Sequence, residues 1–447
     1  MALDVVPHTE GGRWLETYRR LRDDPLGTFT QAARRHGDVV RLRIGPRELV
    51  LVSSPAYIEQ ILITQNRKFH KGRGLSFMSR VLGQGLLTSE GDFWRRERRL
   101  AQPAFHRRRI HDMGATMVEL TVRRLEHWQP GQVVDAAEEM MRLTLTIAAR
   151  TLFGVDVGDA ADTVRDTVTI AMRHTNRRIR SLLRIPPWVP TPANRRYEAA
   201  ATRLDAVVRG IIQQRRQDPG RDDDLLGLLM AATDDDGGHL SDRQLRDEAV
   251  TILLAGHETT ANALAWTWYL LDSHPTAGDA LREELNRVLA GRAPTADDMS
   301  HLPYAGAVIS EALRLYPPAW MIARRATESF TLDAFGFPPG TQVLMSPWVV
   351  HRDGRFFDQP DQFMPERWLD GRTDRLPPFA YFPFGGGPRL CIGKPFALME
   401  AVLVLATVAS RFRLTLVPGH PVAPEPLITL RPRHGLRMTV QSSDFRS

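Results

Sequence analysis

Cysteine is almost missing from this chain: Cys391 is the only one in 447 residues. A single thiol excludes an intrachain disulfide and fits a reducing compartment, so a cytoplasmic location is expected. It also argues against a thiolate zinc site, which needs several Cys or His ligands at short spacing. Long apolar runs are missing as well. No stretch reaches the ~18 continuous apolar residues of a membrane span, and the best run, residues 401–409, suits a buried helix. No membrane anchor is therefore expected. The start, Met1-Ala-Leu-Asp-Val-Val-Pro7, lacks the basic region and apolar core of a signal peptide. There is no linker, internal repeat or low-complexity tract. Residues 1–447 are therefore expected to form one domain, although the length alone would allow two or three.

A hydrophobic content of 43% and a charged content of 25% are ordinary for a globular protein. The net charge of +7 raises nucleic-acid binding as a reading, and arginines cluster at Arg95-Arg96-Glu97-Arg98-Arg99, Arg107-Arg108-Arg109 and Arg177-Arg178. Interleaved aromatics, zinc-finger spacing and a basic tail are all absent. The charge runs read better as solvated faces or as a surface for an acidic protein partner, with no nucleic acid bound.

What is present concentrates around the one sulfur. Cys391 lies in Phe384-Gly-Gly-Gly387-Pro-Arg389-Leu-Cys391-Ile-Gly393, ahead of a helix-like stretch with Pro395 in its first turn. Glycine lets backbone approach a flat ring. A cysteine just before a helix N-terminus is favoured as thiolate, the form that binds iron. Other readings of the segment are a buried structural cysteine and a cysteine nucleophile. A phosphate loop fits poorly, because Gly393-Lys394 is followed by Pro395 and the first-glycine position holds Pro388.

The coarse pattern along the chain is mostly helical. Residues 39–44 and 48–52 read as a β-hairpin around Gly45-Pro46. Helical periodicity dominates from residue 55 to about 265. The longest candidate runs over 241–273, opened by a capping box at Ser241 and Gln244 and closed before Pro275. Its middle is apolar on nearly every side, so it belongs in the core. A second capping box is expected at Ser89 and Asp92. Short strands return at 341–346 and 413–417. The β-rich portions are thus about 39–54 and 325–346 plus 411–441, with the helical bulk at 55–324 and 395–410.

The loop, with Phe396-Ala-Leu-Met-Glu400 behind it, resembles the haem-binding loop of the cytochrome P-450 family. Four further motifs follow the family order. Trp94-Arg-Arg-Glu-Arg98 puts an aromatic and a cation one helical turn apart. Ala255-Gly256-His257-Glu258-Thr259-Thr260 puts helix-weakening Gly and Thr in a helix interior; it is not a zinc-protease motif, because position 261 is Ala. Glu311-Ala-Leu-Arg314 places acid and base on one helix face. Phe363-Met-Pro-Glu-Arg367-Trp368 comes next. By themselves these are ordinary helix pairs and solvated arginines.

The resemblance implies a mainly α fold with small β-sheets, the haem lying between the long central helix and the cysteine-loop helix. It implies that Cys391 is the axial ligand of the iron of haem b (iron protoporphyrin IX). Trp94, Arg98, Arg324 and Arg389 would serve the propionates, Gly256 would leave room for dioxygen, and Ala255, Phe384 and Gly393 would complete the cofactor site. Glu258 and Thr259 would be the catalytic pair, relaying protons and holding water. Glu311, Arg314 and Arg367 would form a buried cluster bracing the cysteine loop. The activity implied is insertion of one oxygen atom from O₂ into an organic substrate. No flavin or nicotinamide fingerprint is present, so electrons would come from a separate ferredoxin or flavodoxin with its reductase.

The substrate pocket is expected from Leu75, Phe77, Met78 and Leu87 in a covering loop, and from Trp320, Met321 and Ile322. Aromatic and Met side chains suit an apolar small molecule. The wording Thr191-Pro-Ala-Asn-Arg-Arg196 resembles bacterial terpene-oxidising members, which favours a terpenoid or other secondary metabolite. Fatty acyl, macrolide or steroid substrates are alternatives, as is a haem-binding sensor without turnover. A monomer is expected.

Overall fold

In the computed structural model of the chain, residues 14–44, 47–156, 160–181, 185–217, 224–233, 238–369 and 371–442 are described. The Gly45-Pro46 turn and the N-terminal seven residues lie outside them. The chain divides into two compact units, each discontinuous in sequence. One comprises Met1–Phe77, Leu313–Gln362 and Gly371–Cys391; the other comprises Met78–Ala312, Phe363–Asp370 and Ile392–Ser447.

The first unit is built on a five-stranded sheet. Its strands run in the order Val39–Ile44, Arg47–Val52, Gln342–Met345, Ile322–Ala326 and Phe69–Lys71. The pairing is antiparallel except between the second and third strands. Alternation in Val39-Val-Arg-Leu-Arg-Ile44 buries Val40 and Leu42 and turns Arg43 outward. Val50, Val52, Ile58, Ile61, Leu62, Phe69, Val343, Met345 and Phe382 form one apolar core, so the sheet and the approach to the cysteine loop share their packing. Beside the sheet, Asp24 caps the helix Pro25–His36 by accepting from Gly27 N–H at 2.9 Å.

The second unit is helical. Its axis is the helix Asp242–Ser273, which at ~1.5 Å per residue is about 48 Å long. Ser241 and Gln244 close the expected capping box. Most residues of this helix are buried, and it packs against Ala136–Phe153, Pro192–Gln217 and Lys394–Ala409. The strands Val133–Asp135, Arg437–Ser442 and Phe412–Leu416 make a small sheet, and Pro424–Pro426 pairs with Leu430–Pro432 as a hairpin. Among the described residues no helix is long and apolar enough to cross a membrane.

Three local features depart from the sequence reading. Residues 60–64 form a π-helical turn, and short strands at Phe69–Lys71 and Val133–Asp135 interrupt the stretch read as helical. Those strands exist because of distant partners, Phe69 opposite Ala326 and Val133 opposite Thr439, which local periodicity does not register. The helix Gly91–Ala101 takes Glu90 as its cap residue, with no side-chain cap bond, in place of the expected Ser89 box.

Candidate active site

The cysteine loop is shaped by its glycines, most strictly by Gly387. Gly385 and Gly387 sit at φ +71° and +66°, in the left-handed region. A Cβ on Gly387 would lie 2.0 Å from the carbonyl oxygen of Leu62, and one on Gly386 would lie 2.2 Å from the Phe379 ring. The turn closes with Gly385 N–H donating to Phe382 O at 3.0 Å, Leu390 N–H to Gly387 O at 3.0 Å and Cys391 N–H to Phe384 O at 3.1 Å. Phe382 is buried, Phe384 and Arg389 are half-buried, and Cys391 is exposed. Free cysteine is usually among the most buried residue types, so the structural-cysteine reading does not describe this one. Gly393 caps the helix Lys394–Ala409 at φ −84°, where a Cβ would meet only the Phe105 ring at 3.8 Å. Its lack of a side chain is not required by the backbone.

Around the loop, Ile322 reaches to 3.5 Å from where a Cβ on Gly385 would stand. Met321 and Ile322 are half-buried. Trp320 is 9% exposed, its ring 6.2 Å from that of Phe29, and its carbonyl accepts from Ser346 Oγ at 2.8 Å. Arg324 lies on the strand Ile322–Ala326, half-buried, and donates to Ala323 O at 3.0 Å. Leu75 and Phe77, in and after the short helix Arg73–Ser76, are half-buried.

On the long helix one strip differs from the rest. Leu253, Leu254, His257, Glu258 and Thr260 are buried, whereas Ala255 is exposed and Gly256 and Thr259 are half-buried. Spacing of i, i+1 and i+4 puts these three on one face. A Cβ on Gly256 would meet nothing nearer than Leu152 Cδ1 at 3.9 Å. Thr259 Oγ1 donates to Ala255 O at 2.8 Å, which leaves its lone pairs available. His257 faces inward; burial holds its imidazole down to about 4, and its Nδ1 bonds Leu253 O at 2.7 Å.

Glu258, about 100° round the helix from Thr259, points toward Thr429. It is 2% exposed and accepts from Thr429 Oγ1 at 2.6 Å. Burial pushes its carboxyl up to about 7, opposed by the Thr429 hydroxyl and the Arg431 charge. The predicted pair is thus adjacent in sequence and divided between two faces. Thr429 and Arg431 escaped the sequence reading because nothing local ties them to residue 258.

Trp94 and Arg98 share one face of the helix Gly91–Ala101, Trp94 at 9% exposure and Arg98 half-buried. Between them Glu97 is buried and accepts from Arg96 at 2.7 Å. Met78 is buried and Leu87 half-buried. The loop bearing Leu87 is fastened by two acids that the sequence reading missed. Asp247 accepts from Gln84 N–H at 2.8 Å and Glu248 from Leu86 N–H at 3.1 Å, with no room for a Cβ at Gly83 or Gly85.

Glu311, wholly buried, accepts from Met364 N–H at 3.0 Å, Arg367 Nε at 2.9 Å and Trp368 Nε1 at 2.8 Å. Arg314, also wholly buried, donates to the carbonyls of His351, Pro360 and Gln362 at 2.6–2.8 Å and stands over the Phe357 ring. His351 Nε2 accepts from Phe382 N–H at 2.9 Å, two residues before Phe384. Burial and the Arg314 charge keep His351 neutral, well below its usual range, as an acceptor nitrogen requires. Arg314 is thereby linked through His351 to the base of the cysteine loop.

Haem requires a sulfur that is not walled in, backbone without side chains beside it, and N–H donors for its carboxylates. The exposed Cys391 on its glycine loop meets the first two demands. The uncovered Ala255–Gly256–Thr259 strip, taken by itself, also fits a flat group. Trp94, Arg98, Arg324 and Arg389 are chemically suited to the third.

Comparison with known proteins agrees. Residues 7–437 match the family model described as Cytochrome P450. The chain is 40% identical over 399 residues to cyclooctatin synthase of Streptomyces melanosporofaciens, covering 88% of this chain and 87% of that protein. It is 38% identical over 386 residues to cyclooctat-9-en-7-ol 5-monooxygenase of the same organism, covering 86% and 84%. Pentalenene oxygenase of Streptomyces avermitilis is 37% identical over 430 residues, 93% of each chain. With a cysteine loop of this geometry and matches that span nearly its whole length, the chain belongs to the cytochrome P450 family of monooxygenases.

Proposed function

We propose that this monooxygenase oxidises an apolar terpenoid, using haem b and electrons from a separate ferredoxin or flavodoxin. The relatives named for cyclooctatin, cyclooctat-9-en-7-ol and pentalenene support that substrate class. The observation that carries the reading is the uncovered strip of Ala255, Gly256 and Thr259 on an otherwise buried helix.

Haem iron held by a cysteine thiolate supplies O–O cleavage and oxygen insertion. The chain's own residues do the rest. Cys391 gives the sulfur, and Phe384 with the loop glycines sets its position. Trp94, Arg98, Arg324 and Arg389 offer N–H donors to the propionates. Ala255 and Gly256 leave space beside the strip, and the Thr259 lone pairs accept a hydrogen bond from water there. Glu258 carries protons toward that water, a task for which a carboxyl poised near neutral pH is suited. Glu311, Arg314 and Arg367 hold the backbone that supports the loop. Leu75, Phe77, Met78, Leu87, Met321 and Ile322 offer apolar surface to the substrate, and Trp320 backs them. Arg95, Arg96, Arg99 and Lys394 steer an acidic electron donor, with the salt dependence such steering carries.

The test has two parts. The reduced, CO-bound protein is expected to show the red-shifted Soret band of a thiolate ligand, and Cys391→Ser is expected to lose it. A spin-state titration with terpene hydrocarbons and alcohols is then compared with fatty acids. Shifts with the fatty acids alone would overturn the terpenoid assignment.

A further inference from the structure

The carboxyl of Glu258 is met by a hydroxyl. Thr429, 7% exposed, stands in the connection between the strands Pro424–Pro426 and Leu430–Pro432, 171 residues along the chain. Its Oγ1–H donates to Glu258 Oε1 at 2.6 Å, and its oxygen accepts from Asn262 Nδ2 at 3.3 Å. Asn262 is one turn beyond Glu258 on the long helix and 2% exposed. One turn further, Trp266 Nε1 donates to Leu430 O at 3.2 Å. Positions 258, 262 and 266 therefore stitch the hairpin to a single helix face. The two donors at Thr429 run in series, amide to hydroxyl to carboxyl, so each strengthens the next.

We infer that Thr429 is the positioning residue for Glu258: its hydroxyl, oriented by Asn262, fixes the carboxyl on the hairpin side of the helix and favours its ionised form. The geometry is specific because both side chains are buried, Glu258 at 2% and Thr429 at 7% exposure. A buried carboxylate is stabilised by the donors aimed at it, and an aliphatic side chain of the same shape supplies none. The charged groups nearby are few. Arg431 lies on the same hairpin, 2.9 Å from Glu425. Arg180, ending the helix Ala160–Arg180, donates to Pro426 O at 2.7 Å. Met172 of that helix presents its sulfur to Thr429 at 3.7 Å. The inference rests on the proposed proton-carrying role of Glu258 only for its effect on turnover.

The test uses the haem-loaded protein and reads Glu258 directly. The infrared C=O stretch of the protonated carboxyl, assigned as the band missing from Glu258→Gln, is titrated against pH. In Thr429→Val the midpoint is expected to rise by about one pH unit; in Thr429→Ser it is expected to return to the parent value. A Thr429→Val midpoint equal to the parent's overturns the inference. If Thr429→Val does not accumulate folded, Asn262→Leu removes the orientation alone. A smaller rise of the same sign is then expected, and no rise overturns the inference. The pH profile of kcat, measured on the same variants, separates the two readings. A profile that moves with the infrared midpoint supports both. A midpoint that moves while the profile stays fixed supports the positioning role and removes Glu258 from the proton path.

Discussion

Glu311 and Glu258 are both buried carboxyls on helices, and they are provided for very differently. Glu311 accepts from a guanidinium, an indole and a backbone amide. Glu258 accepts from one hydroxyl, and its proton is held up to about 7. Glu400 goes further: wholly buried, it has the Thr260 hydroxyl beside it, no bond of ordinary geometry among the described residues, and a carboxyl raised well above its usual range. Burial is nearly constant across the three. What differs among them is the number and charge of the donors aimed at each carboxyl.

The comparison breaks most visibly at Glu311. Glu311→Ala takes the carboxylate away from Arg367, whose side chain is 7% exposed, and should cost about 3–5 kcal/mol. Denaturant midpoint and haem content measure this, and a variant with parental values for both would remove the bracing role. Glu258 is expected to behave oppositely. Its proton is bound more tightly in the folded chain, from the ordinary 4.5 to about 7. Ionisation therefore opposes folding, with no cost below about 4.5, a growing cost up to about 7 and the full cost above. Glu258→Gln should accordingly be more stable than the parent by on the order of 3 kcal/mol above pH 7, the gap closing as pH falls through that window. Denaturation series at several pH values test the sign. Burial likewise raises the Glu400 carboxyl well above its usual range, so its ionisation opposes folding and Glu400→Gln should gain on the parent as pH rises above about 4.5; denaturation at several pH values checks that sign.

Gly256→Ala sharpens the contrast between stability and function on one helix. The methyl meets nothing closer than 3.9 Å, and alanine improves helix propensity by up to about 1 kcal/mol. The midpoint should hold or rise slightly while product formed per electron consumed falls. Unchanged coupling would mean that the strip does not face the reacting group.

The loop and the long helix were legible because their determinants are consecutive. The pattern from Phe384 to Gly393 encodes its own turn, and the capping box at Ser241 marks its own helix end. What escaped were contacts whose partners lie far away in sequence and carry no motif of their own. Thr429 bonds Glu258 across 171 residues. Trp368 and the Met364 amide complete the shell of Glu311 from a different segment. Trp320 packs on Phe29 in a helix that no local signal connects to it. Both units are assembled from separated stretches of chain, so no shift in composition marks where one ends.

The solitary thiol has an analytical consequence. A chain with one cysteine thiol, and that one exposed, takes a single thiol-directed alkyl group from a maleimide or iodoacetamide under brief, mild labelling. A sulfur engaged by metal is withheld from such reagents, because its lone pair is already committed. Intact-mass spectrometry after brief alkylation would therefore show two peaks, and their ratio would be a head count of loaded and unloaded molecules in any preparation.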